Sequence, residues 1–83
     1  MSTEMTDIVR GGLYQHYKGQ MYRVHDVVKH SETLEDLVLY ECLYENVLGK
    51  MWVRPKKMFL EPVLVDSHSV PRFKFIEIEC VTK

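Results

Sequence analysis

From Leu13 onward the hydrophobic positions recur with a period of two, the spacing that sets alternate side chains on opposite faces of an extended strand. Leu13 to Tyr17 is a short aromatic run, and Met21 to Val28 sets Tyr22 and Val24 on one face against Arg23 and His25 on the other. Lys18-Gly19-Gln20 between them predicts a tight turn, with Gly19 free to take a positive φ. Leu37 to Tyr44 is the longest apolar segment. Val38, Tyr40, Cys42 and Tyr44 share one face, while Leu37, Leu39 and Leu43 share the other, interrupted by Glu41. Apolar character on both faces suits a central strand covered on both sides or a short buried helix; branched and aromatic content favours the strand.

Asn46 to Gly49 predicts a turn into a further strand, Lys50 to Arg54, which Pro55 ends because it has no amide for the ladder. Pro55 is suited to the first position of one helical turn through Lys56, Lys57, Met58 and Phe59, and Pro62 confines the helix to that turn. Val63-Leu64-Val65 reads as a fifth short strand and Asp66 to Ser69 as a turn. The last segment, Phe73 to Val81, changes phase: Phe73 and Phe75 lie on one parity, Ile78 and Cys80 on the other. Two explanations are open, a bulge near Phe75 and Ile76, or a distal part that leaves the core to cover an edge, in this chain or a neighbour. Residues 1–10 are polar and aperiodic apart from Ile8 and Val9 and read as a loose leader; residues 11–83 read as one domain with a C-terminal strand extension. The expected fold is all-β, a small SH3-like barrel of about five strands with one short helical turn.

Length sharpens this picture. A chain of 83 residues buries about 60–65% of the surface its unfolded form exposes, enough for one scant core. No run approaches the apolar length of a membrane span, no targeting signal is visible, and the two cysteines, Cys42 and Cys80, sit between apolar neighbours outside any C-x-x-C pair. These features predict a cytoplasmic protein with buried thiols and no membrane association.

The net charge of −1 argues against a protein devoted to coating nucleic acid. Its distribution tempers that exclusion. Glu32, Glu35, Asp36, Glu41 and Glu45 crowd the segment from His30 to Gly49, which has no Lys or Arg; Lys50, Arg54, Lys56 and Lys57 follow with no acid between them.

Five groups of residues also carry a resemblance. Gly12-x-Tyr14-x-His16-Tyr17-Lys18-Gly19-x-x-Tyr22 is followed in order by His30-Ser31-Glu32-Thr33-Leu34-Glu35, Val38-x-Tyr40, Trp52-Val53-Arg54-Pro55-x-x-x-Phe59 and Arg72-Phe73. From about Gly12 to Phe73 the chain resembles a family of short, mostly bacterial proteins grouped as a domain of unknown function. The resemblance implies a small β-barrel and no established activity. Gln15 stands where that family usually carries a basic residue, and the segment after Phe73 is longer than the family pattern requires.

Several residues are candidates for chemistry. His16, Tyr17 and Lys18 at a hairpin tip could contact an anion or a base, or simply keep the turn soluble. His30, Ser31 and Glu32 lie too close in sequence to converge as a hydrolytic site, since neighbours on extended backbone point apart. An organised loop is the better reading, with Ser31 or Thr33 capping amides and Glu32 or Glu35 accepting from Arg54 or Arg72. His16, His25, His30 and His68 fall on separate elements, so no metal site is expected, and no cofactor. Trp52 is either core or, with Tyr14, Tyr22, Tyr40 and Tyr44, part of an aromatic groove.

The reading these features support is a non-catalytic binding module for a peptide or small ligand. Its expected surface is Tyr14, His16, Tyr17, His30, Glu32, Trp52 and Arg54, with Arg54 as carboxylate or anion clamp. The alternative is a binder of single-stranded nucleic acid such as RNA, using Lys50, Arg54, Lys56, Lys57, Arg72 and Lys74. A small hydrolase-like enzyme ranks third, and a homodimer through the C-terminal strand is a separate expectation.

Overall fold

Period-two alternation builds seven strands here, and the structure, a computed structural model, describes residues 7–78. β1 (Gly12–His16) and β2 (Met21–Lys29) form the expected first hairpin, with Tyr14 opposite Tyr22 and Gly19 at φ 110° in the turn. β3 (Asp36–Cys42), β4 (Met51–Pro55) and β7 (Phe73–Ile78) join them in one antiparallel sheet of order β4-β3-β2-β1-β7. A short helix, α1 (Lys56–Leu60), follows β4, and β5 (Pro62–Val65) pairs with β6 (His68–Pro71) in a separate hairpin.

The all-β expectation holds, and strand pairing leaves the sheet open. β4 and β7 are its two edges and do not pair with each other. They do face one another, because the guanidinium of Arg54 on β4 lies 5.4 Å from the ring centre of Phe73 on β7. The sheet is therefore strongly curled around a core of Tyr14, Tyr22, Val24, Val38, Tyr40, Cys42 and Phe73, with Ile8 and Phe59 added from outside it. Phe59 is the one buried residue of α1 and stacks flat on Phe73 at 4.0 Å.

Several local expectations are corrected. β3 is fully buried on one face only: Val38, Tyr40 and Cys42 are buried, whereas Leu37 and Leu39 are only partly covered. Pro55 caps α1 from outside at ψ 135° instead of occupying its first turn. The connection before β3, by contrast, makes the one helical turn that the three-residue spacing of Thr33 and Asp36 allows, with Leu34 N–H donating to His30 C=O at 2.8 Å. The turn at 66–69 is tighter than expected. Val65 pairs with His68, so only Asp66 and Ser67 form the loop, at φ 52° and 69°, the positive pair that matches hairpin twist.

The phase slip in the last strand is a bulge. Tyr14 faces Phe75 while Leu13 faces Glu77, leaving Ile76 as the extra residue. Glu77 and Ile78 pair with Leu13 and Gly12 of β1, and the outer side of β7 pairs with no described strand; Cys80 and Val81 lie outside the described residues. The expected leader is anchored in its described part, since Ile8 is buried and Asp7 pairs with Lys56 at 2.8 Å.

Candidate functional site

Directly opposed residues in an antiparallel ladder share a face, so the register of β3 and β4 decides what surrounds Arg54. Tyr40 opposes Trp52 and Val38 opposes Arg54, which sets Trp52 and Arg54 on the core side of the sheet. Met51 and Val53 alternate to the outside and are half-exposed. At the rim of the core these side chains enclose a depression of about 190 Å³ lined by Tyr22, Tyr40, Cys42, Tyr44, Asn46, Trp52 and Arg54. A wider hollow of about 520 Å³ adjoins it and shares Cys42, Tyr44 and Asn46.

The floor is held rigidly. Tyr22 meets Tyr40, Tyr44 and Phe73 edge-on at 5.3, 5.6 and 5.5 Å. The hydroxyls of Tyr22 and Tyr44 are hydrogen-bonded at 3.0 Å, and burial, followed by that bond, pushes the Tyr22 phenol far above its ordinary range. Trp52 packs on the core with one side and donates its indole N–H to the Gly49 carbonyl at 3.0 Å. The loop that supplies this carbonyl is shaped by Asn46, whose side-chain oxygen accepts from the Leu48 amide at 2.9 Å.

Arg54 supplies the charge. Its Nε lies 3.5 Å from the Tyr40 hydroxyl, at the limit of a hydrogen bond, and its guanidinium covers Phe73. No carboxylate among the described residues pairs with it. His16, opposite Phe73 on β1, stands edge-on to that ring at 5.0 Å. Its Nδ1 accepts from the Lys18 amide at 3.2 Å. Burial, then the charges of Arg54, Lys18 and Arg72, hold the imidazole below its ordinary pKa.

Residues 12–75 match the family model described as a protein of unknown function, DUF1653. The chain belongs to the DUF1653 family. It is also similar to the crystal structure of a DUF1653 protein from Bordetella bronchiseptica, with 30% identity, a TM-score of 0.79, and coverage of 89% of this chain and 95% of that one. No curated protein matches the chain.

Of the surface expected for this DUF1653 chain, the fold brings Trp52 and Arg54 together, while His16 reaches Arg54 only through the Phe73 ring they share and Tyr17 is tilted on His16 at 4.6 Å. Tyr14 is elsewhere: it is 3% exposed, edge-on to Phe59 and Phe75, and its hydroxyl accepts from the Val9 amide. His30 and Glu32 belong to the connecting loop. Nδ1 of His30 accepts from the amides of Glu32 and Thr33 at 3.0 and 3.3 Å, and Ser31 donates to Glu32 at 3.3 Å. Thr33 caps the Glu35 amide, as the capping expectation requires. The expected pairing of Glu32 or Glu35 with an arginine is replaced: Arg72 reaches Glu61 at 3.5 Å and Arg54 lies on Tyr40 and Phe73.

The basic residues of the nucleic-acid reading are divided. Lys56 pairs with Asp7, Arg72 with Glu61, and Lys50 stands 4.0 Å from Glu41, while Lys57 and Lys74 are exposed. Among the described residues no three of His, Cys, Asp and Glu cluster as metal ligands. Asn46 and Cys42 are the lining residues that sequence reasoning missed; the only signal for Asn46 was the Asn46-x-x-Gly49 turn, and Cys42 read as a buried thiol.

Proposed function

We propose that the DUF1653 chain is a cytoplasmic, non-catalytic binding module that seats a carboxylate-bearing ligand against Arg54, on the aromatic floor of Tyr22, Tyr40, Tyr44 and Trp52. The observation that carries this reading is the guanidinium of Arg54, held over Phe73 at 5.4 Å with no carboxylate beside it among the described residues. Arginine presents a planar fork suited to a carboxylate, and the half-buried setting weakens competition from water. Rigid aromatic walls contribute contact area with little entropy left to lose. The single-stranded RNA reading has less support, because Lys56 and Arg72 already hold carboxylates.

The experiment is a titration of isotope-labelled protein with short acetylated peptides that carry no acidic side chain and end in a free carboxylate or in an amide. The acid form is expected to move the indole resonance of Trp52 and the Nε–H of Arg54, and the amide form to leave them in place. Arg54→Gln should weaken the response by about tenfold or more, the loss typical of a charge-assisted hydrogen bond. Equal responses to acid and amide would overturn the reading.

A further inference from the structure

The edge of β4 adds a backbone contact to this site. Cys42 donates its amide to the Lys50 carbonyl at 2.8 Å, which fixes the phase of the β3–β4 ladder. Hydrogen-bonded pairs alternate along an antiparallel ladder, so Trp52 and Arg54 bond inward to Tyr40 and Val38. The amides and carbonyls of Met51 and Val53 therefore point away from β3, at an edge that no described strand pairs with. This edge runs along the rim of the depression, with Trp52 and Arg54 on its inner side. Met51 and Val53, 50% and 51% exposed, form an apolar row on its outer side.

Resting on the function proposed above, we infer that the ligand is an extended acidic peptide that adds to β4 as a further strand of the main sheet. Charge selects this occupant. Between Lys50 and Lys57 the chain carries four bases and no acid, so pairing β4 with β4 of a second copy brings like charges together, while an acidic strand is attracted. Antiparallel pairing is the more stable arrangement per residue, and it dictates the peptide's pattern. The residue opposite Arg54 is acidic, those opposite Val53 and Met51 are apolar, and the one opposite Trp52 lies over the depression. Main-chain bonds supply affinity and the alternating side chains supply selectivity, as in other strand-addition complexes.

The probe is the capped peptide acetyl-Thr-Glu-Val-Thr-Val-amide, added to the full chain and followed by amide hydrogen exchange. Exchange at Met51 and Val53 is expected to slow by about a hundredfold when the peptide stands at about a hundred times its Kd. Methylating the amide nitrogen of the first valine, which donates to Val53 C=O, should abolish binding, as should replacing the glutamate by lysine. If the methylated peptide binds as well and still shifts Trp52, the depression remains the site and strand addition is wrong. If no capped peptide binds but the free-carboxylate probe does, strand addition fails alone; if neither binds, both readings fail. A free protein that sediments as a dimer with Met51 and Val53 already protected assigns the edge to a second copy and overturns the proposal.

Discussion

His16 shows how one residue's chemistry depends on neighbours distant in sequence. Its ring meets Phe73 and Tyr22 edge-on, and Arg54 and Arg72 act on it from remote parts of the chain. Burial and these cations favour the neutral imidazole, so the folded pKa lies below the ordinary 6.5. The unfolded chain then binds a proton more readily than the folded one. The stabilisation is complete above pH 6.5 and is lost as pH falls from there through the lower folded value. His16→Gln should flatten that part of the curve of unfolding free energy against pH, measured by urea denaturation; an unchanged curve would refute it. A carboxylate docked on Arg54 offsets one of these cations, so binding is expected to take up protons near the same pH. The sequence identified His16 as a candidate and could not identify its surroundings. Tyr14 and Tyr22 make the same point. They are opposed residues of one hairpin, yet Tyr14 is enclosed by Phe59 and Phe75 while Tyr22 also borders the depression.

Among the elements, those governed by local rules were readable. The first hairpin follows from Gly19 and its flanking alternation, and α1 is confined by Pro55 and Pro62. The Ile76 bulge was readable as a phase slip, since a side-chain period of two can change parity only if one residue leaves the ladder. Of the β5–β6 hairpin, the strand at Val63–Val65 and the turn after it were readable, but the returning strand β6 was not, because the turn lacks the usual Asn-Gly signal. Asp66 tolerates its positive φ, but Ser67 adopts one against its preference, which costs an ordinary L-residue about 1–2 kcal/mol. Ser67→Gly should relieve that cost, minus glycine's added entropy of about 0.5–1 kcal/mol, and so stabilise the fold by up to about 1.5 kcal/mol. The midpoint of chemical denaturation measures this; a lower midpoint for the variant would show that Ser67 has a compensating contact.

For the whole molecule, the decisive contact is Phe59. It stacks on Phe73 at 4.0 Å and meets Tyr14 and Tyr40 edge-on at 5.3 and 5.6 Å, tying α1 to β7, β1 and β3 at once. Phe59→Ala is expected to cost about 3–5 kcal/mol, the range for a large buried aromatic. Native domains have about 5–15 kcal/mol in total, so the variant should lose a fifth or more of its stability and melt at a clearly lower temperature. Circular dichroism on heating tests this; a loss below about 1 kcal/mol would mean that α1 is not a structural plug.

Alternation, turn glycines and bounding prolines act between neighbours in the chain, and by themselves they determined an all-β domain, its first hairpin and its single helical turn. Only the tertiary structure decided how far the sheet curls, that Arg54 of one edge covers Phe73 of the other, and which tyrosines are enclosed and which border the depression. Those outcomes depend on pairings between residues far apart in sequence. Curl is the sum of small twists along every strand, and no local pattern records where two edges meet.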